Sequence, residues 1–391
     1  MSMIPLDDEL LRIPGYLLAL ASIAYLVIAI RAVARFPRSL RTAVTGSFQP
    51  PVTVLVPAHG APPGLYRCLR SICDQRYPNF QVVFGLHTPD DPARAVIEGL
   101  IAEFPGHDLS LVIDSRMIGA NPKNCNLANI YPSARHDVIV MVDSDVRVEP
   151  DFLTGVVAPL ADRAVGGVTC LYKAAAEPNF PSALGALAIN DWFIPSAIVD
   201  LGMREIDICY GAAIAVTREA LEAIGGFEAM ASAVAQDFVF GQRLTQHGYR
   251  IALANDVVET IMAEPSLGSL FRHELRWNRA VRACRPRDHL LSVVMQSLPL
   301  STLLLMLPGL SVGAIGPLVA MVGLRIALHY TVRVRIPIAG PAQPWLVPVR
   351  ECASFGIWAA SFLTRRVRWG ARTLVVGSDY NNMSMIKDDR P

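Results

Sequence analysis

Asp143 and Asp145 stand two positions apart at the end of a run of β-formers, Val138 to Val142, in the stretch DVIVMVDSDVRVEP (137–150). In an extended chain alternate side chains point the same way, so the two carboxylates aim at one object. Like charges side by side are unfavourable unless a proton or a cation intervenes. Hard cations such as Mg²⁺ or Mn²⁺ take oxygen ligands and share them with phosphates. A solvated turn capped by Asp would use the same residues with no metal. A second candidate is Asp237 in SAVAQDFVFGQRLTQHGYRIAL (232–253), where it starts an amphipathic helix that Gly248 ends. A carboxylate there is either an N-cap or an acid/base group. The third is SLFRHELRWNRAVRACRPR (269–287). Arg272, Arg276, Arg279 and Arg282 fall on one helical stripe, and His273 and Trp277, four apart, form a ridge beside it. Basic stripes near a bilayer bind lipid headgroups, at about 1 kcal/mol per Arg. That suits Arg279, Arg282, Arg285 and Arg287 better than an Arg276-Trp277 pair with a His three residues before it.

The elements that must carry these residues alternate. PVTVLVP (51–57), FQVVFGL (80–86), LSLVID (109–114) and DVIVMV (137–142) read as strands, with helical spacing in 65–75 and 93–104 between them. This β-α-β-α order predicts a parallel sheet with helices on both faces. Unalternated apolar strands are what a sheet buried on both faces requires. Ligands of open parallel sheets bind at the carboxyl ends of the strands, where Asp143 and Asp145 stand.

Composition indicates a membrane protein. Hydrophobic residues are 52% of the 391-residue chain and charged residues only 18%, with mean hydropathy +0.36. Soluble domains are nearer a quarter charged. The net charge of +1 gives no reason to invoke nucleic acid. Seven scattered cysteines with no C-x-x-C pair read as reduced core residues in a cytosolic compartment. An uncharged run at 15–30 predicts an N-terminal transmembrane anchor over 1–34. Its acidic start does not suit a signal peptide, and the arginines after it place that end inside. Two apolar legs, 290–310 and 311–332, predict a transmembrane hairpin over 288–332, broken at Pro308-Gly309. The 14-residue run 351–364 is too short to span and predicts an interfacial or re-entrant helix over 350–364, followed by a basic cytosolic tail, 365–391. Between the anchors lies a cytosolic domain, 45–285. Within it the apolar stretch 181–203 reads either as an interfacial helix offering Asn190 or Asp191 to a lipid hydroxyl, or as a core helix.

Together these motifs resemble the inverting nucleotide-diphospho-sugar glycosyltransferases. The pattern is Asp90-Asp91 after the second strand, Asp143-Ser144-Asp145 after the fourth, Asp237, and HELRW (273–277) as the [Q/R]-x-x-R-W signature. The strings HTPDDPA, GANPKNCNL (119–127), VVAPLADRAVGGVTCLY (156–172) and GGFEAM (225–230) are similar to the ceramide glucosyltransferase family, in its bacterial branch with the hopanoid-associated enzymes. The resemblance covers about residues 15 to 375. It implies a Rossmann-like, GT-A fold with N- and C-terminal transmembrane helices, at the inner (cytoplasmic) membrane. It implies a UDP-sugar donor (glucose or N-acetylglucosamine), a membrane lipid acceptor of ceramide type and Mg²⁺ or Mn²⁺. By the same resemblance Asp237 is the general base, Arg276 braces the departing UDP and Trp277 walls the sugar or acceptor site. Asp145 holds the metal with Asp143 beside it, Asp90 or Asp91 contacts uracil or ribose, and Lys123 and His273 approach the donor.

The chain departs from the family pattern in three places. Gln236 stands where an acidic residue often precedes the base, Val56-Pro57 replaces Lys-Pro, and His273 replaces Gln or Arg. Other readings are a hopanoid polyol as acceptor, a polysaccharide synthase, or a non-catalytic nucleotide-sugar-binding module. One helix and one hairpin are too few to enclose a polysaccharide tunnel, and pure binding needs no base.

Overall fold

Seven short strands build the sheet that carries the acidic residues. They are β1 (Val52–Pro57), β2 (Phe80–Leu86), β3 (Asp108–Ile113), β4 (Val138–Val142), β6 (Val165–Thr169), β8 (Ala213–Thr217) and β9 (Arg250–Leu253), in the order β3-β2-β1-β4-β8-β6-β9. A second sheet runs β5 (Val146–Arg147), β10 (Val258–Met262) and β7 (Tyr172–Ala176). The computed structural model describes residues 8–37, 48–309 and 311–364, with strand segments 366–369, 372–376 and 383–385 in the tail. Those three segments form a small antiparallel sheet. The chain falls into two compact units. One is Ser39–Pro178, Glu205–Ala263 and Arg365–Pro391, and the other is Met1–Arg38, Asn179–Arg204 and Glu264–Thr364. The stretch 45–285 therefore contributes to both.

In the first unit β1 has both faces covered. Val54 and Val56 pack into one core with Phe84 and Val140, while Leu55 packs into another with Val83 and Ile139. Burial on both sides is why these strands lack polar alternation. The four strands predicted from the sequence are parallel, with Val52 opposite Val138 and Phe80. The sheet as a whole is mixed, however, because β8 enters antiparallel between β4 and β6. Its register sets Ala213 opposite Val142, so the chain before β8 lies beside Asp143. In the second sheet β10 pairs antiparallel with β5, setting Thr260 opposite Val146.

The second unit is built on apolar helices. Among the described residues three are long and apolar enough to cross a membrane: Glu9–Arg35, Phe180–Leu201 and Val312–Arg335. The predicted leg over 290–310 is not one straight helix. Pro286–Gln296 and Leu298–Met306 meet at a 65° bend. Pro299 follows the break, and a proline ring disfavours helical geometry in the residue before it. Phe180–Leu201 is 72% buried along its apolar window, and Asp191 within it faces inward onto His329. The core reading of this stretch therefore describes it better than the interfacial one. Leu346–Ser361 begins earlier than expected and buries Arg350 and Glu351.

Charges inside this unit are matched. Arg350 donates to both Glu274 carboxylate oxygens, at 2.7 and 2.5 Å. Arg325 pairs with Glu351 at 2.6 Å, and His329 with Asp191 at 2.7 Å. Removing one partner of such a pair strands a buried charge, at a cost of about 3–5 kcal/mol. Arg350→Met is therefore expected to lower the melting temperature in lipid nanodiscs by on the order of 10 °C. Adding Glu274→Leu should recover most of that loss, as thermal unfolding by circular dichroism would show.

Candidate active site

Asp143 is the first residue past β4. Its N–H donates to the Ala212 carbonyl at 3.1 Å, and its own carbonyl accepts from the Val146 N–H, turning the chain into β5. Its half-buried carboxylate forms an ion pair with Lys123. Asp145 is exposed. Its backbone carbonyl accepts from Ile261 at 3.0 Å, and its carboxylate accepts from the Thr260 hydroxyl at 3.4 Å. Thus β10 positions Asp145.

Lys123 stands in the first turn of the Pro122–Ile130 helix. Asn121 caps that helix and donates to the Ala233 carbonyl at 2.9 Å, and Asn124 donates to the Met230 carbonyl at 2.5 Å. These buried amides fix the helix start. Lys123 also donates to the Gly211 carbonyl at 3.2 Å. Asp237 lies in the first turn of Gln236–Gln246, whose N-cap position is Ala235, without a capping side chain. Its carboxylate accepts from the Phe238 N–H at 3.0 Å. A β-carbon on Gly211 would sit 2.9 Å from an Asp237 oxygen, so a larger residue there would push the carboxylate from its place.

Burial pushes the Asp237 carboxyl above the ordinary carboxylate range, and the Asp143 charge adds to this. Lys123 and the Phe238 N–H work against it. Burial, with the charges of Asp237, Asp143 and Asp145, drives the Tyr172 phenol up, so Tyr172 remains an O–H donor. The three carboxylates, Lys123 and Tyr172 thus share one electrostatic neighbourhood at the carboxyl end of β4.

Asp91 is placed differently from its neighbour. It is buried, and its carboxylate accepts from the Gly60 and Ala93 N–H groups, both at 2.9 Å, and meets His59 Nδ1 at 2.8 Å. It ties the loop after β1 to the start of the Ala93–Glu103 helix. Asp90 is exposed.

The signature residues lie in the other unit, on Leu267–Cys284, whose N-terminus Ser266 caps. His273 Nδ1 meets Glu264 Oε1 at 2.6 Å, and its ring packs on Trp277 with centroids 4.2 Å apart. Burial opposes ionisation of Glu264, but hydrogen bonds from His273 and Ser269 and the charge of Arg272 outweigh it, holding the carboxyl below its usual range. Glu274, next to His273, points inward to Arg350, while Arg276 and Trp277 are half-buried.

The model described as Glycosyl transferase family 21 matches residues 15–381. The chain belongs to glycosyl transferase family 21. Among curated proteins it is 25% identical over 248 residues to Ceramide glucosyltransferase 1 of Caenorhabditis elegans, covering 62% of this chain and 52% of that one. It is 37% identical over 101 residues to a ceramide glucosyltransferase of Komagataella phaffii, covering 25% of this chain and 20% of that one. The chain thus spans about half the length of the first of these relatives. A mannosyltransferase from Pyrobaculum calidifontis, solved with GDP-Man and Mn²⁺, superposes with a TM-score of 0.60. It is 21% identical and covers 91% of this chain and 99% of its own. That likeness shows the fold, a GT-A-like mixed α/β sheet, here accompanied by candidate membrane helices at both ends.

For this family 21 chain, the structure brings Asp143, Asp145, Asp237 and Lys123 together, and His273 and Trp277 together. Sequence reading missed Tyr172, Thr260, Gly211, Glu264 and Glu274. Tyr172 closes the family-like string 156–172 but drew no role there, Thr260 lies on a strand that gave no motif, and Glu264 precedes its helix by three residues with no pattern to flag it. Among the described residues no three His, Cys, Asp or Glu side chains close into a metal cage. The donor set of Asp143 and Asp145 nevertheless suits a hard divalent ion that completes its shell with diphosphate oxygens and water.

A raised carboxyl pKa means the folded chain holds its proton more tightly than the unfolded chain. Stability is then lost as pH climbs from the ordinary carboxylate range through the raised value. Asp237→Asn is therefore expected to match the parent chain at low pH and to melt a few degrees higher at neutral pH. A melting-temperature series against pH checks this, and equal curves throughout would contradict it.

Proposed function

We propose that this family 21 chain transfers a hexose, glucose or N-acetylglucosamine, from a UDP-sugar to the hydroxyl of a ceramide-type membrane lipid, with inversion. The carrying observation is the Asp237 carboxylate, burial-shifted upward, beside Lys123 and Asp143 at the carboxyl end of the sheet. The names of the relatives and the apolar helices support the lipid acceptor. The Mn²⁺ and GDP-Man of the solved mannosyltransferase support a nucleotide sugar and a divalent metal.

Inversion in one displacement needs a base that accepts the acceptor proton as the new bond forms. Asp237 takes that role, its carboxylate held by the Phe238 N–H beside the Gly211 backbone. A pKa raised by burial makes it the stronger base, while Lys123 favours its ionised form. Asp143 and Asp145 hold Mg²⁺ or Mn²⁺, which supplies positive charge to the diphosphate. Tyr172 offers an O–H to the same neighbourhood. Asp90 and Asp91 serve the nucleoside end; since Asp91 is engaged with Gly60, Ala93 and His59, its part is to shape that loop. Arg276 steadies the leaving UDP, Trp277 forms a wall, and Glu264 sets the orientation of His273. The chain sits in the inner membrane with the sheet on the cytosolic side, as the arginines after each apolar segment favour.

Membranes carrying the chain, given labelled UDP-sugars and separate lipid acceptors, are expected to form one glycolipid detectable by mass spectrometry. Asp237→Asn should lose transfer by about 10²–10⁴-fold while still binding the UDP-sugar. Transfer at the parent rate would refute Asp237 as the base. Chelation should abolish transfer and Mn²⁺ or Mg²⁺ should restore it; turnover unaffected by chelation would remove the metal from the reading. Lys123→Met, by taking away the cation that favours ionised Asp237, should move the acid limb of the pH–rate profile upward.

A further inference from the structure

The unit of apolar helices contains a polar centre that the sugar-transfer chemistry does not use. Between Phe180 and Leu201 the helix changes its winding. Ala188–Phe193 is a π-helical stretch carrying Asn190, Asp191 and Trp192. Such stretches are rare and are found mostly at functional sites. Asp191 is 3% exposed, Trp192 7% and His329 1%. Asp191 Oδ2 meets His329 Nδ1 at 2.7 Å, which directs the other imidazole nitrogen away from Asp191. Asp191 Oδ1, His329 Nε2 and the indole nitrogen of Trp192 are each buried with no partner among the described residues. A buried polar atom left unpaired costs about 1–3 kcal/mol. Three in one dyad and its sequence neighbour point to an occupant.

The surrounding charges limit what that occupant is. The Arg325 guanidinium lies 4.6 Å from the centre of the Trp192 ring, but its charge is matched by Glu351 at 2.6 Å. Arg350, 6.0 Å from the same ring, is matched by Glu274. Among the described residues these two guanidinium groups, both matched, leave no spare positive charge at the Trp192 ring to favour a phosphate. The three unpaired atoms are a carboxylate oxygen that accepts, an indole N–H that donates, and an imidazole nitrogen that does either. A hydroxyl, donor and acceptor at once, suits each of the three in kind. Depth agrees. His329 lies four residues before Arg333 and six before Arg335, at the basic end of Val312–Arg335. At 1.5 Å per residue this is about 6–9 Å from that end, a depth reached by the headgroup–acyl boundary.

We infer that Asp191, Trp192 and His329 form a binding site for the hydroxyl-bearing head of an uncharged membrane lipid. The inference rests on the lipid-acceptor reading and specifies where the chain recognises that lipid.

The test uses the full chain in phosphatidylcholine nanodiscs, with no donor present. Binding of a short-chain ceramide is compared with that of its 3-deoxy analogue, which keeps the primary hydroxyl. The parent chain is expected to prefer the ceramide about tenfold, the worth of one well-made hydrogen bond. Asp191→Asn and His329→Gln should remove the preference while UDP-glucose binding stays unchanged. Trp192→Phe keeps an aromatic ring near Arg325 while removing the indole N–H together with its five-membered ring; it decides the matter if either dyad variant fails to fold. A parent chain without the preference, or folded variants that keep it, would overturn the inference and leave the polar centre structural. Sugar transfer is scored separately. Lipid selectivity with no transfer to any acceptor would sink the proposed function alone; transfer with an unchanged acceptor KM in all three variants would sink this inference alone.

Discussion

Crowding of negative charge at the end of one strand is the constraint on which the acidic site depends. Asp143, Asp145 and Asp237 lie close enough for each to raise the cost of ionising Tyr172. Such a cluster stands only if positive charge is supplied. Lys123 supplies part of it, pairing with Asp143 and lowering the cost of ionising Asp237. Its helix is held in place by the buried amides of Asn121 and Asn124. On the proposed function, a divalent ion held by Asp143 and Asp145 would supply more positive charge.

The helical unit solves the opposite problem. Its surroundings are apolar, so each buried charge carries a large desolvation penalty. Arg350 with Glu274 and Arg325 with Glu351 answer it by close pairing. The first pair also limits rotation of Leu267–Cys284, the helix bearing His273, Arg276 and Trp277, because Glu274 stands between His273 and Arg276. Trp192 between two guanidinium groups adds cation–π attraction to the same network. The Asp191–His329 pair is one whose outer atoms lack partners among the described residues.

Much of this was legible in the residues. Val138–Val142 is apolar on both faces and could only be a buried strand, and Asp143 and Asp145 follow it at the chain position where open sheets bind ligands. The Arg276-Trp277 pair stood out because a lipid-facing stripe does not call for it. The antiparallel β8 was not legible. Ala213–Thr217 is a short apolar run whose direction depends on which strands it joins. The bend at Ser297 was missed although Pro299 was in view, because apolar composition continues across it.

By itself the sequence determined the types of side chain available, the strand that ends in two carboxylates, the signature helix and the apolar segments, because these follow from local periodicity and residue chemistry. Only the tertiary structure decided which groups share a field. Lys123 meets Asp143, and Gly211 admits Asp237, through register and backbone approach between distant segments. Glu264 orients His273, and Asp191, 138 residues from His329, turns inward to it. Pairing and desolvation depend on separation in space and on burial, and neither is written in the order of residues along a chain.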